Sequence, residues 1–228
     1  MQMQHIALDF EATCDEPDNP DPQEIIEFPA VAIAAESGLD PVEFHTFVRP
    51  AAHPRLSRFC AGLTGIRQVE VDRAPAFPEV LAQFDEWLEG QGDFQFVTCG
   101  DWDLGSMLPR QCAQHGLPVP AWARSWVNLK HLFGQHFPRS RRTGLRAMAA
   151  VLGVSLVGRL HSGIDDARNI ARVFRCLQSV RVVACPEPQT VRSTASGPGK
   201  QGAWLCPRCG WRNAAGRRGC GQCGRSRR

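Results

Sequence analysis

The order of two hydrophobic periodicities constrains this chain more than any other feature of it. Residues 4–10 (QHIALDF), 25–35 (IIEFPAVAIAA) and 42–49 (VEFHTFVR) are short and apolar or alternating, as strands require. Pro29, inside the second run, predicts an edge position or a bulge there. The helical period takes over further on. Residues 77–89 place Phe77, Val80, Leu81, Phe84 and Leu88 on one face. Residues 94–99 (FQFVTC) read as another strand, and 102–116 as a helix that breaks or restarts at Pro109. Residues 144–152 form a short apolar helix stopped by Gly153, and 164–177 carry Ile164, Ala167, Ile170, Ala171, Phe174 and Leu177 at helical spacing. Strands first and helices interleaved later predict an α/β domain with a mixed sheet packed against helices.

From about residue 184 the texture changes. CPEPQTVRSTASGPGKQG is rich in Pro, Ser, Thr and Gly and has no periodicity, so 184–202 reads as a flexible linker between a 1–183 domain and a 203–228 module. Charge divides at the same place. Residues 1–183 hold 17 Lys and Arg against 22 Asp and Glu, whereas 184–228 hold 9 basic residues and one acidic, Glu187. A basic tail attracts polyanions, of which phosphate backbones are the usual ones. No 18-residue apolar run predicts a membrane span. The start, MQMQHIALDFEATC, lacks the basic region and long apolar stretch of a signal peptide, which points to a cytoplasmic protein.

Three element ends carry carboxylates. Asp9 and Glu11 flank Phe10 at the end of the first strand, and alternation puts both on one side. Asp101 and Asp103 lie where the 94–99 strand gives way to a helix. His161, Asp165 and Asp166 open the 164–177 helix. Each group has a plain structural explanation when taken singly: acidic residues suit a first helical turn, and a loop histidine finds a backbone partner. Together, four carboxylates and an imidazole suit phosphoryl transfer with two metals. Hard Mg²⁺ takes carboxylate and water oxygens, and two such ions about 3.5–4 Å apart stabilise an in-line displacement. Histidine is able to take a proton from the attacking water near neutral pH.

The motifs around these residues resemble the DEDDh 3′-to-5′ exonucleases, and within them the Eri-type RNA exonucleases. The first is Ala7-Leu8-Asp9-Phe10-Glu11-Ala12-Thr13-Cys14, followed by Glu24-Ile25-Ile26-Glu27-Phe28-Pro29. Phe47-Val48-Arg49-Pro50, Leu56-Ser57 and Leu63-Thr64-Gly65-Ile66 resemble the same group. The second motif holds Trp102-Asp103, and the third runs from Gly158 to Ala167 with Asn169-Ile170-Ala171 after it. The resemblance covers roughly residues 4–180 and implies an RNase H-like exonuclease fold. It selects Asp103 over Asp101 by its place after the tryptophan, and Asp166 over Asp165 by the H-x4-D spacing. It implies that Asp9, Glu11, Asp103 and Asp166 hold two Mg²⁺ or Mn²⁺ ions, with His161 as general base. Glu11, Ala12, His161, Leu104 and Thr64 would meet the 3′-terminal nucleotide, although core packing explains Leu104 and the Leu63–Ile66 turn equally well.

Cys206, Cys209, Cys220 and Cys223 form two C-x2-C pairs across a ten-residue loop, the spacing of a tetrahedral structural zinc site. A module this small needs the metal in order to fold. Its pattern, W-x-C-x2-C-x3-N-x6-C-x2-C, resembles the RanBP-type zinc finger, known for binding single-stranded RNA or ubiquitin. Gly210-Trp211 stands where ubiquitin binders carry Thr-Phe, which argues against ubiquitin. Arg212, Arg217 and Arg218 suit phosphates or base edges. Trp211 is either a stacking platform or packing, since Ala214 occupies the usual stacking position. The expectation is an exonuclease that releases nucleoside 5′-monophosphates from the 3′ end of RNA, with the finger holding the strand. The rivals are a DNA exonuclease on the same fold, which the catalytic residues do not distinguish, and a nucleic-acid- or ubiquitin-binding adaptor with a vestigial nuclease domain.

Overall fold

The computed structural model describes residues 3–33, 41–138, 140, 144–180, 189–190, 204–205 and 212–213. In chain order its elements are β1 (Gln4–Leu8), β2 (Glu11–Ala12), β3 (Ile25–Ile33), β4 (Glu43–Phe47), α1 (Arg58–Thr64), α2 (Gln68–Asp72), α3 (Phe77–Glu89) and β5 (Phe94–Thr98). A π-helical turn (Asp103–Met107) leads into α4 (Leu108–Gln114), and a 3-10 turn (Ala121–Arg124) into β6 (Ser125–Asn128). Then come α5 (Leu129–His136), α6 (Leu145–Leu152), α7 (Gly163–Val180), β7 (Gln189–Thr190), β8 (Trp204–Leu205) and β9 (Arg212–Asn213).

Seven strands form one mixed sheet. β1, β5 and β6 run parallel, β3 and β4 add antiparallel on one side, and β7 pairs antiparallel with β6 on the other. Alternation along the strands builds two cores. Ile6, Leu8, Phe28 and Phe96 face the cluster of α3 and α4, with Phe84 and Met107. Ala7, Val31, Val97 and Val127 face α5, α6 and α7, with Phe133, Met148 and Phe174. Helices on both faces explain why the 25–35 run is apolar apart from Glu27: all nine residues of β3 are buried. The α/β class and the mixed sheet flanked by helices agree with the sequence expectation.

Pro29 is not at an edge. β3 lies between β4 and the β1–β2 pair. The Ala32 N–H donates to Val42 on the β4 side, so alternation turns the nitrogen of Pro29 toward β1. There β1 has ended at Leu8 and β2 has not begun, so no ladder bond is lost. The register also shifts between Glu11 and Ala12. The irregularity that a proline demands falls on the neighbouring strand, and it releases Asp9 and Phe10 from the ladder.

Pro109 falls where the winding changes: the π-helical turn ends at Met107 and passes without a gap into α4, whose second residue is the proline. Two residues of the expected linker, Gln189 and Thr190, pair with Trp126 and Ser125 of β6. In the C-terminal module β8 and β9 pair antiparallel, Trp204 opposite Asn213 and Leu205 opposite Arg212. Cys206, Cys209, Cys220, Cys223, Trp211, Arg217, Arg218 and the side chain of Arg212 lie outside the described residues. Among the described residues no helix is long and apolar enough to cross a membrane.

Candidate active site

The break after β1 is where the site forms. Asp9, Phe10, Glu11 and Ala12 line a cavity of about 460 Å³, together with Trp102 and Asp103 from the turn after β5 and Leu160, His161 and Asp166 from the start of α7. Asp103 is held by the chain it faces: the N–H of Phe10 donates to its Oδ1 at 2.9 Å. The sheet thus joins the first and second acidic motifs, 93 residues apart, through one buried hydrogen bond.

The third motif is shaped by its own turn. His161 has φ +63°, a left-handed conformation uncommon for residues other than glycine. Its N–H donates to Asp166 Oδ2 at 2.8 Å, and the N–H of Asp166 donates to Ser162 at 2.8 Å. The loop before it is fixed by the fully buried Asn169, whose amide accepts from and donates to the backbone of Val157, both at 2.9 Å. Arg159 then ties this loop to α1 by donating to the carbonyls of Gly62 and Leu63. Of the Asn169-Ile170-Ala171 string, Asn169 thus fixes the loop, while Ile170 and Ala171 lie in the core.

The two close choices among aspartates have a structural counterpart. Asp101 accepts from Trp126 Nε1 at 3.1 Å and Asn128 Nδ2 at 2.7 Å, away from the cavity. Asp165 accepts from the Arg159 N–H at 2.8 Å and from Arg168 at 3.1 Å. Neither lines the cavity, whereas Asp103 and Asp166 do. Leu104 and Thr64, expected near the terminal nucleotide, are not brought to the cavity. Leu104 is fully buried in the core beneath it. The Thr64 hydroxyl donates to the Cys60 carbonyl at 2.9 Å and accepts from the Ile66 N–H, closing α1. Leu63, its neighbour, lines the cavity instead.

Electrostatics set the cost of this arrangement. Burial raises the pKa of Asp9 well above the usual carboxylate range, and Asp103, Asp166 and Glu11 add to it. Glu11 is raised in the same way by burial, then by Glu27, Asp166 and Asp103. Burial pushes Asp103 up to about 7 and Asp166 up to about 6. Lys130, at the start of α5, lines the cavity and opposes the rise at Asp9 and Asp103. Four gathered carboxylates destabilise one another unless a cation lies among them.

The donor set fits a hard divalent ion. Glu11, His161 and Asp166 each offer a ligand atom within 4.8 Å of the others. Asp166 Oδ1 is buried and accepts no hydrogen bond from the described residues, which leaves it open to a cation. Lys130, Trp102, Leu160 and Arg146, none of them an expected site residue, also line the cavity. Trp102 and Leu160 belong to the second and third motifs, directly before Asp103 and His161. Lys130 and Arg146 carry no local pattern that separates them from solvated charges.

Comparison with known proteins bears on what such a site does. The sequence profile described as Exonuclease matches residues 6–174. ERI1 exoribonuclease 3 of Homo sapiens is 44% identical over 178 residues, covering 75% of this chain and 52% of that protein. The 3′-5′ exonuclease Snipper of Drosophila melanogaster is 35% identical over 190 residues, covering 74% of this chain and 67% of that protein. The solved nuclease domain of 3′hExo, described as a DEDDh family member bound to rAMP, superposes with a TM-score of 0.72 at 39% identity, covering 77% of this chain and 92% of that one. The chain spans about half the length of the ERI1 exoribonuclease 3 relatives it matches.

Proposed function

This chain belongs to the DEDDh exonuclease family, and we propose that it is a divalent-metal-dependent exoribonuclease that shortens RNA from its 3′ end. The observation that carries the reading is the convergence of Asp9, Glu11, Asp103, His161 and Asp166 on one cavity, with Asp166 Oδ1 buried and unbonded. Asp9, Glu11, Asp103 and Asp166 would hold two Mg²⁺ or Mn²⁺ ions, and those ions would supply a lowered pKa for the attacking water and charge stabilisation at phosphorus. His161, exposed and on a left-handed turn, lines the cavity and would serve as the general base. It takes the proton as that water attacks the last phosphodiester. Glu11 and the backbone of Ala12 receive the 3′-terminal nucleotide.

RNA is favoured over DNA by the kinship with exoribonucleases and by a solved relative at 35% identity described as recognising the 3′ end of a histone mRNA stem-loop. The C-terminal cysteines, by their spacing, would hold one structural Zn²⁺ and present Trp211, Arg212, Arg217 and Arg218 to the strand. The test is incubation with 3′- and 5′-labelled RNA and DNA, in Mg²⁺ and in chelator. Stepwise shortening of RNA from the 3′ end with release of nucleoside 5′-monophosphates is expected. Cleavage in chelator, internal cuts, or indifference to the sugar would each refute part of the reading.

A further inference from the structure

The first turn of α7 carries Asp166 and follows directly on the turn that carries His161, so whatever holds the end of α7 sets the third motif. That end is held from β3. Glu27 is buried, and both its carboxylate oxygens are engaged: Oε2 accepts from the Gly163 N–H at 2.9 Å and Oε1 from the Ile164 N–H at 3.1 Å. His45 Nε2 of β4 lies 2.9 Å from Oε1. Across the β2–β3 ladder Glu27 stands opposite Glu11. One carboxylate thus joins two strands to the helix end.

Capping alone does not call for this residue. A hydroxyl or amide caps a helix without a charge. Here a buried charge is set beside the site, where it raises the pKa of Glu11 and of Asp166. What a carboxylate adds is a second acceptor oxygen, so two successive amides are fixed at once and the direction of the helix is fixed with them. The fit is close. A Cβ at Gly163 would lie 2.7 Å from the carbonyl oxygen of Asp9 and 3.2 Å from Glu27 Cδ, so the helix end rests on the backbone of the first motif. We propose that Glu27, steadied by His45, is a positioning residue: it sets the spacing between the His161–Asp166 turn and the Asp9–Glu11 segment, and with it the metal-holding geometry. This rests on the nuclease reading of the site.

The full chain would be compared with Glu27→Gln and His45→Gln. Glu27→Gln keeps the volume and one acceptor but turns a donor toward an amide N–H. Turnover on labelled RNA and calorimetric Mg²⁺ affinity should each fall by about 10–100-fold, as for partners that orient metal ligands, with KM little changed. Amide exchange at Gly163 and Ile164 should quicken while that of β1 and β5 stays slow. His45→Gln, at a half-exposed position, should shift the same readouts in the same direction by less, and it carries the test if Glu27→Gln does not fold. Unchanged Mg²⁺ affinity and turnover would overturn the proposal. So would a loss of turnover that merely follows the folded fraction. If the unaltered protein does not shorten RNA, the nuclease reading falls. Mg²⁺ affinity and amide exchange need no turnover, so they still decide whether Glu27 sets the geometry.

Discussion

Asp9 shows at the scale of one residue how a site is held at the expense of the fold. Its carboxyl is pushed up by burial and then by three neighbouring carboxylates. At alkaline pH, where the cluster ionises, Asp9→Asn removes one charge from it without changing volume. In chelator its melting temperature should exceed that of the unaltered protein, by about 2–4 °C for each kcal/mol of repulsion relieved. Activity in Mg²⁺ should be lost. A lower melting temperature would mean that the repulsion is not real. The same raised groups give a pH dependence. Asp103, pushed to about 7, and Asp166, pushed to about 6, keep their protons in the folded chain where the unfolded chain has released them. Folding then takes up protons, so this contribution falls as pH rises from about 4 to about 7. His5, whose burial lowers its pKa, acts in the opposite sense. The comparison is therefore with Asp103→Asn: in chelator, thermal melts should show the unaltered protein losing more stability than the variant between pH 5 and 7.5, and Mg²⁺ should abolish the difference.

At the scale of elements, α3 shows how helical spacing becomes packing. Phe77, Val80, Leu81, Phe84 and Leu88 are the residues of that helix which the structure buries, as their spacing predicts. Phe84 is their centre, with its ring 4.7 Å from Phe28, 5.0 Å from Phe44 and 5.2 Å from Trp122. Phe84→Ala should destabilise the domain by about 3–5 kcal/mol, read by urea unfolding, because the surrounding rings close only partly over the cavity left. Other elements were not legible. α1 is seven residues long, α2 five and β6 four. Such lengths span at most two turns or two alternations, too few for a period to stand out from chance. Their ends rest on contacts distant in sequence: the hydroxyl of Ser57, which caps α1, also donates to the Cys14 carbonyl.

For the whole molecule, β7 changes where the chain is best divided. A cut at residue 183, which composition suggests, would remove a strand that pairs with β6. A chain ending near residue 196 keeps it and removes the basic cysteine module. That truncation should keep its turnover at saturating RNA. It should bind RNA more weakly, with a shallower dependence of log affinity on log salt, because fewer counterions are released when fewer phosphates are neutralised. Filter binding across a salt series reads both. An unchanged slope would show that the module does not touch the strand.

The sequence by itself determined the α/β class and pointed to the five residues that line one cavity, because alternation, helical spacing and the D-F-E-A-T-C and H-x4-D strings are local patterns. Only the tertiary structure decided the placement of Asp101 and Asp165 outside the cavity, the burial of Leu104 and Thr64, and the joining of Glu27 to Gly163 across 136 residues. The physical reason is that alternation and helical rotation fix which side of an element a residue faces. What stands on that side is fixed by how β1, β3 and α7 pack together, and no spacing within any one of them encodes it.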